Sequence, residues 1–273
     1  MVSGRSRKAH GWTSAAARRL KQLAGDPRSV EEAVELVVER VLGTCPTIPV
    51  DLKQVAAQFD VVAIEAEDVV YSGELRRVDE GFKIIYSRDQ SLVRRRFTIA
   101  HEIAHAIFES TGPKGPRFGK ELERLCDMLA VEILMPRRIF WSELKRIGMS
   151  CKGILHLSNH FRTSVAATAI RCAELIETNR QLKVNTFEVE GNHVSWGYGI
   201  VRRGPLMKVE KTIRERLLAA QQTTQGSEVI WLASALRIGD WSLEWERLGN
   251  RTLFVLGFTR DIELLKLSNP TDI

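Results

Sequence analysis

The segment RRRFTIAHEIAHAIFE, residues 94–109, sets His101 and His105 four positions apart in a largely apolar run, with Glu102 directly after the first. The whole chain holds six histidines, so this spacing is a strong constraint. On an α-helix, positions i and i+4 share one face and lie about 6 Å apart along the axis. Both imidazoles then project side by side and can bind one metal ion. Glu102 stands next to that face, within reach of a water held there without being a ligand itself. His-Glu-x-x-His on a helix is the signature of a zinc hydrolase.

Two histidines do not complete a catalytic zinc site, which needs a third protein ligand and an open fourth position. One familiar continuation of the motif requires Gly and His at positions filled here by Phe108 and Thr111; that class is excluded. Glu109 lies on the same face, but eight residues rise about 12 Å along a helix, too far to share an ion with His101 and His105. The ligand must come from another element. The segment ELERLCDMLAVEILMP carries an apolar stripe of Leu122, Leu125, Cys126, Leu129, Ala130 and Ile133, with Glu123 and Asp127 four apart beside it. That spacing suits one carboxylate on the metal and one accepting a hydrogen bond from a ligating imidazole. Glu123 is assigned the first role and Asp127 the second; Glu121 or Asp127 is the next candidate for the metal.

Around these motifs the chain reads as helices and short strands. Val30, Ala33, Val34, Val37, Val38 and Val41 recur at helical spacing and Gly43 follows as a stop. Asp51 is placed to cap a second helix, LKQVAAQF. Three strand-like runs come next: VVAIEA, GELRRVD and FKIIYS. A long helix starts near Ser91, and a second one from about Lys120 stops at Met135-Pro136, where proline cannot continue it. Residues 141–180 stay helical, with a turn near Arg162-Thr163-Ser164 that gives a helix-turn-helix rhythm. Beyond 181 the texture becomes strands around a single helix near 209–221, with Trp196, Trp231, Trp241 and Trp245 suggesting an aromatic-rich core.

YSRDQSLVRRRFTIAHEIAHAIFE followed by ELERLCDMLAVEILMP resembles the ImmA/IrrE family of metallopeptidases. The resemblance rests on Arg-Phe-Thr-x-Ala-His-Glu-x-x-His, on the second-helix glutamate and on the closing Leu-Met-Pro, and IPVDLKQVAAQFDVVAIEA fits the family's opening helix and strand. It implies an α+β fold with a zincin-like peptidase domain over residues 28–140, a helical, helix-turn-helix-like segment over 141–180 and a sensor-like α+β domain over 181–273. It also implies a glutamate as third ligand, in agreement with Glu123, and a supporting role for Asp127. The expected site is zinc (Zn2+), with manganese (Mn2+) as the alternative, held by His101, His105 and Glu123. Glu102 acts as general base and then returns the proton to the leaving nitrogen. Tyr71, Tyr86 and His160 are candidates to stabilise the oxyanion, and an edge strand such as FKIIYS is expected to align the substrate. Family members typically cleave a helix-turn-helix repressor of stress-response or mobile-element genes.

Charge places a rival function beside this one. Residues 1–25 hold Arg5, Arg7, Lys8, Arg18, Arg19 and Lys21 and no acid, so they account for the whole net charge of +6. Residues 1–27 are expected to form a basic, flexible arm able to touch nucleic acid. With the helix pair at 141–180, that gives the alternative of a DNA-binding regulator, or a partner protein of toxin–antitoxin type, in which the peptidase domain only docks. His156 and His160 repeat the four-residue spacing, but Leu157 replaces the acid, so they are not read as a second site. No run reaches the roughly 18 apolar residues of a membrane span, and no leader-like apolar core opens the chain; a cytoplasmic protein is expected. Cys45, Cys126, Cys151 and Cys172 form no Cys-x-x-Cys pair and are expected to be packed thiols.

Overall fold

In a computed structural model of the chain, the structure describes residues 12–43, 46–110, 119–180, 184–199, 201–233 and 238–258. The fold is α+β, as expected. It divides into two units: Met1–Arg137 with Phe161–Thr163, and Arg138–His160 with Ser164–Ile273. The helices of 141–180 thus group with the C-terminal sheet, apart from three residues that join the first unit.

The first unit opens with α1 (Ala15–Ala24), α2 (Val30–Leu42) and α3 (Leu52–Ala57). Ser14, Ser29 and Asp51 cap them through side-chain oxygens that accept backbone N–H groups, which satisfies donors a helix start leaves open. Helix α1 corrects the expectation of a flexible arm. Ala16, Ala17, Leu20 and Ala24 are buried, and the Arg40 guanidinium of α2 donates to the Leu23 and Ala24 carbonyls at its C-terminus. Arg18 donates to the Thr13 carbonyl and Lys21 stands over the Trp12 ring. Arg5, Arg7 and Lys8 lie outside the described residues.

Strands β1 (Val61–Glu67), β2 (Gly73–Val78) and β3 (Gly81–Ser87) form one sheet in the order β1-β3-β2. β3 pairs parallel with β1 and antiparallel with β2. FKIIYS therefore lies in the middle of the sheet and has no free edge; the expectation that it aligns substrate is corrected, and β1 and β2 are the edge strands. The reason is visible in Ile84 and Ile85, which point to opposite faces and are both fully buried.

Helices α4 (Leu92–Ser110) and α5 (Lys120–Leu134) complete the unit. Ser91 starts α4, its carbonyl accepting Arg95 N–H and its hydroxyl Arg94 N–H. Ile99, Ala100, Ile103, Ala104 and Ile107 of α4 are buried, as are Leu122, Leu125, Cys126, Leu129 and Ile133 of α5. The alanines of α4 let the two helices approach closely. Pro136 ends α5, and the Glu132 carboxylate accepts the Arg137 N–H at 2.7 Å to start the next helix.

The second unit holds α6 (Arg137–Ile147), α7 (Cys151–Phe161) and α8 (Val165–Arg180), then β4 (Val184–Glu190), β5 (His193–Tyr198), β6 (Gly204–Pro205), α9 (Lys211–Ala220), β7 (Gln225–Ala233), β8 (Ile238–Leu248) and β9 (Arg251–Phe258). Its sheet is antiparallel in the order β6-β5-β4-β9-β8-β7. Phe187, Trp241, Leu243 and Phe254 pack under Ile213 and Leu217 of α9, with the Phe187 and Phe254 rings stacked at 5.2 Å. Arg162 turns the chain between α7 and α8 with φ of 52°. Thr168, Ala169, Cys172, Ala173, Leu175 and Ile176 of α8 are buried, and α8 lies along β4 and β5. It serves as packing rather than as a helix offered to a DNA groove. Trp231's side chain lies outside the described residues, as do Cys45 and residues 111–118; Cys126, Cys151 and Cys172 are free, buried thiols.

Candidate metal centre

The apolar stripes of α4 and α5 face each other, and this brings the polar groups beside those stripes together. His101 Nε2 lies 3.2 Å from His105 Nε2 and 3.2 Å from Glu123 Oε2. Glu123 Oε1 lies 3.6 Å from His105 Nε2. One donor atom from each of the three residues falls within 4.8 Å of the others. Two imidazoles and a carboxylate converging this way fit a divalent metal of the zinc type. The His101 and His105 side chains are 16% and 13% exposed and Glu123 is 48% exposed, so the cluster has a protein floor and one side open to solvent.

His101 uses its other nitrogen, Nδ1, toward Asp127 Oδ1 at 3.0 Å. A carboxylate there fixes the ring and its tautomer, leaving Nε2 to face the cluster. Burial lowers the pKa of His105, and the neighbouring His101 charge adds to this; the neutral imidazole is the form that binds metal. Glu102 is 7% exposed. Burial raises its pKa to about 7, against the opposing pull of His101 and of the nearby Leu75 backbone. A carboxyl tuned to that range suits proton transfer near neutral pH.

The other carboxylates are engaged elsewhere. Glu109 pairs with Arg77 at 3.4 Å, and Glu121 pairs with Arg124 at 2.9 Å. Of the oxyanion candidates, Tyr71 donates its hydroxyl to Glu74 at 2.8 Å, Tyr86 lies under the Arg95 guanidinium, and His160 is grouped with the second unit. His156 and His160 stack on α7 with ring centres 6.3 Å apart.

Two residues of β2 border the site without having been singled out in the sequence. Leu75 contributes its backbone to Glu102, which no side-chain pattern encodes. Gly73 lies beside Glu102: a Cβ built on it would sit 3.1 Å from Oε1. Its only sequence signal is a glycine opening a strand.

Paired histidines, a converging glutamate and a buried neighbouring acid form a candidate metal centre, and comparison with known proteins shows what the chain is similar to. Residues 56–173, less than half of the chain, match the Peptidase_M78 family, described as the IrrE N-terminal-like domain, and over that stretch the chain is similar to ImmA/IrrE proteins. The chain is 30% identical over 90 residues to the radiation response metalloprotease IrrE of Deinococcus radiodurans, and 32% identical over 85 residues to that of Deinococcus deserti. These stretches cover 30% and 28% of the chain and only 27% and 30% of the two relatives. A solved Mycobacterium tuberculosis transcriptional regulator shares the fold with a TM-score of 0.54 at 12% identity, over 94% of this chain and 84% of that one. The family match begins later than the expected residue 28 and runs past residue 140 into α8. Among the described residues, no helix is long and apolar enough to cross a membrane.

Proposed function

We propose that the chain is a metal-dependent endopeptidase that cuts a specific helix-turn-helix repressor. The observation that carries this reading is the convergence of His101, His105 and Glu123 beside the buried Glu102. The three ligands would hold zinc, with manganese as the alternative; Asp127 would hold the His101 ring in register. A bound metal supplies the Lewis acid that polarises the scissile carbonyl and activates the attacking water. Glu102 accepts the proton of that water and delivers it to the departing nitrogen as the C–N bond breaks, so it ends the cycle in the state in which it began.

An extended substrate segment would pair with the open edge of β2, whose first residues border Glu102. The role of the second unit is assigned from layout, as a module that tunes the peptidase. Co-expression with helix-turn-helix repressors, starting with any encoded next to this chain, followed by mass spectrometry of the products, tests the reading. Discrete fragments with the wild type and intact repressor with Glu102→Gln are expected. Intact repressor in both, from protein shown to carry metal, defeats the proposed substrate class.

A further inference from the structure

Gly73 opens β2 directly against α4. A Cβ built on it would run into the Thr98 side-chain methyl, Cγ2, and would meet Glu102 Oε1 at 3.1 Å and the Ile85 carbonyl oxygen at 3.3 Å. Its φ lies outside the left-handed region that favours glycine. The residue at this position is therefore set by space, not by backbone conformation.

Thr98 occupies the same face of α4 as Glu102, one turn earlier. It is 4% exposed, and its hydroxyl makes no hydrogen bond among the described residues. A threonine within a helix is less favourable than alanine, and a buried hydroxyl without a partner costs more. What the residue contributes here is its methyl, seated where Gly73 has no side chain. Two residues farther along the strand, the backbone of Leu75 lies close enough to Glu102 to act on its carboxylate.

We propose that Gly73 and Thr98 are positioning residues: the Thr98 methyl seated on the bare Gly73 sets the spacing between α4 and the open-edge strand β2, and so fixes the Glu102 carboxylate beside that edge. The functional meaning rests on Glu102 being the base, as proposed above; the spacing itself does not. Gly73→Ala inserts a methyl into the seat, drives β2 away from α4 and separates Leu75 from Glu102. Removing the atom in hardest conflict, by adding Thr98→Ser, relieves the overlap. Thr98→Val keeps a carbon there and does not.

Amide hydrogen exchange of Leu75, read by NMR on the full chain, tests this with neither metal nor substrate. Gly73→Ala is expected to speed Leu75 exchange at least tenfold while the Leu125 amide in α5 stays as in the wild type. Gly73→Ala with Thr98→Ser should return Leu75 to within about twofold of the wild type, and Gly73→Ala with Thr98→Val should not. These sizes are order-of-magnitude expectations for a backbone amide that loses its carboxylate neighbour. Wild-type Leu75 protection in Gly73→Ala overturns the proposal, as does equal rescue by serine and valine or no rescue by serine. If Gly73→Ala does not fold, recovery of the fold by Thr98→Ser alone supports the proposal, and failure to recover it overturns it. A chain that follows the expected order but cuts no repressor keeps the spacing role and defeats the peptidase reading instead.

Discussion

Glu102 and Glu123 are the same amino acid on packed helices, and burial divides their work. Glu102 is 7% exposed and its pKa is raised to about 7; Glu123 stands nearly half in solvent, facing two imidazoles. Glu102→Gln keeps the shape and removes the proton acceptor. Metal content should stay near that of the wild type while cleavage falls by about two orders of magnitude or more. Glu123→Ala takes away one of three ligands, so metal and cleavage should be lost together. Asp127→Ala frees the His101 ring, and metal affinity should fall roughly 10- to 100-fold. Metal analysis and repressor cleavage on the three purified variants separate the roles. Full metal occupancy in Glu123→Ala would show that the ligand is misassigned, and active Glu102→Gln would remove the proposed base.

At the scale of elements, α1 is where the structure departs most from the local signal. Its apolar face consists of three alanines and Leu20, too little hydrophobic patterning to stand out against Arg18, Arg19 and Lys21. Leu20 is nevertheless fully buried. Leu20→Ala should cost about 2–5 kcal/mol, and removal of residues 1–25 should lower the thermal midpoint rather than leave it unchanged. An unchanged midpoint in both would mean that α1 adds nothing to the first unit. Helices α4 and α5 were legible because the 3.6-residue period and the fixed His and Glu spacings are local properties. Strand order is not local. The edge position went to FKIIYS although adjacent Ile84 and Ile85, both apolar, already carry the mark of a strand covered on two sides. The approach of Glu123 to the two histidines was legible from its place beside the apolar stripe of α5, and helix rise set Glu109 aside; that the three hold a metal is the proposal above. Gly73 and the Leu75 backbone were not legible, since a missing side chain and a main-chain group leave no pattern to read.

Across the whole molecule, the candidate ligands belong to one of the two units: His101, His105 and Glu123 all lie within Met1–Arg137, as does Asp127 beside them. An ion that binds only the folded form stabilises it by about 2.7 kcal/mol at a free concentration 100 times its Kd. Chelation should therefore lower the unfolding transition of the first unit and spare that of the second. Calorimetry with and without chelator reads this, and equal shifts in two resolved transitions would show that the metal does not act through the first unit alone.

The first unit also claims Phe161–Thr163, where Phe161 is fully buried and the Thr163 hydroxyl donates to the Met135 sulfur at 3.6 Å. Translation runs from N- to C-terminus, so the ribosome makes both histidines first, Glu123 next, and these closing residues only after α6 and most of α7. The first unit cannot be finished while the chain is short. A nascent chain halted before residue 161 carries His101, His105 and Glu123 yet lacks the last part of their unit, so the unit is completed only after synthesis has entered the neighbouring one.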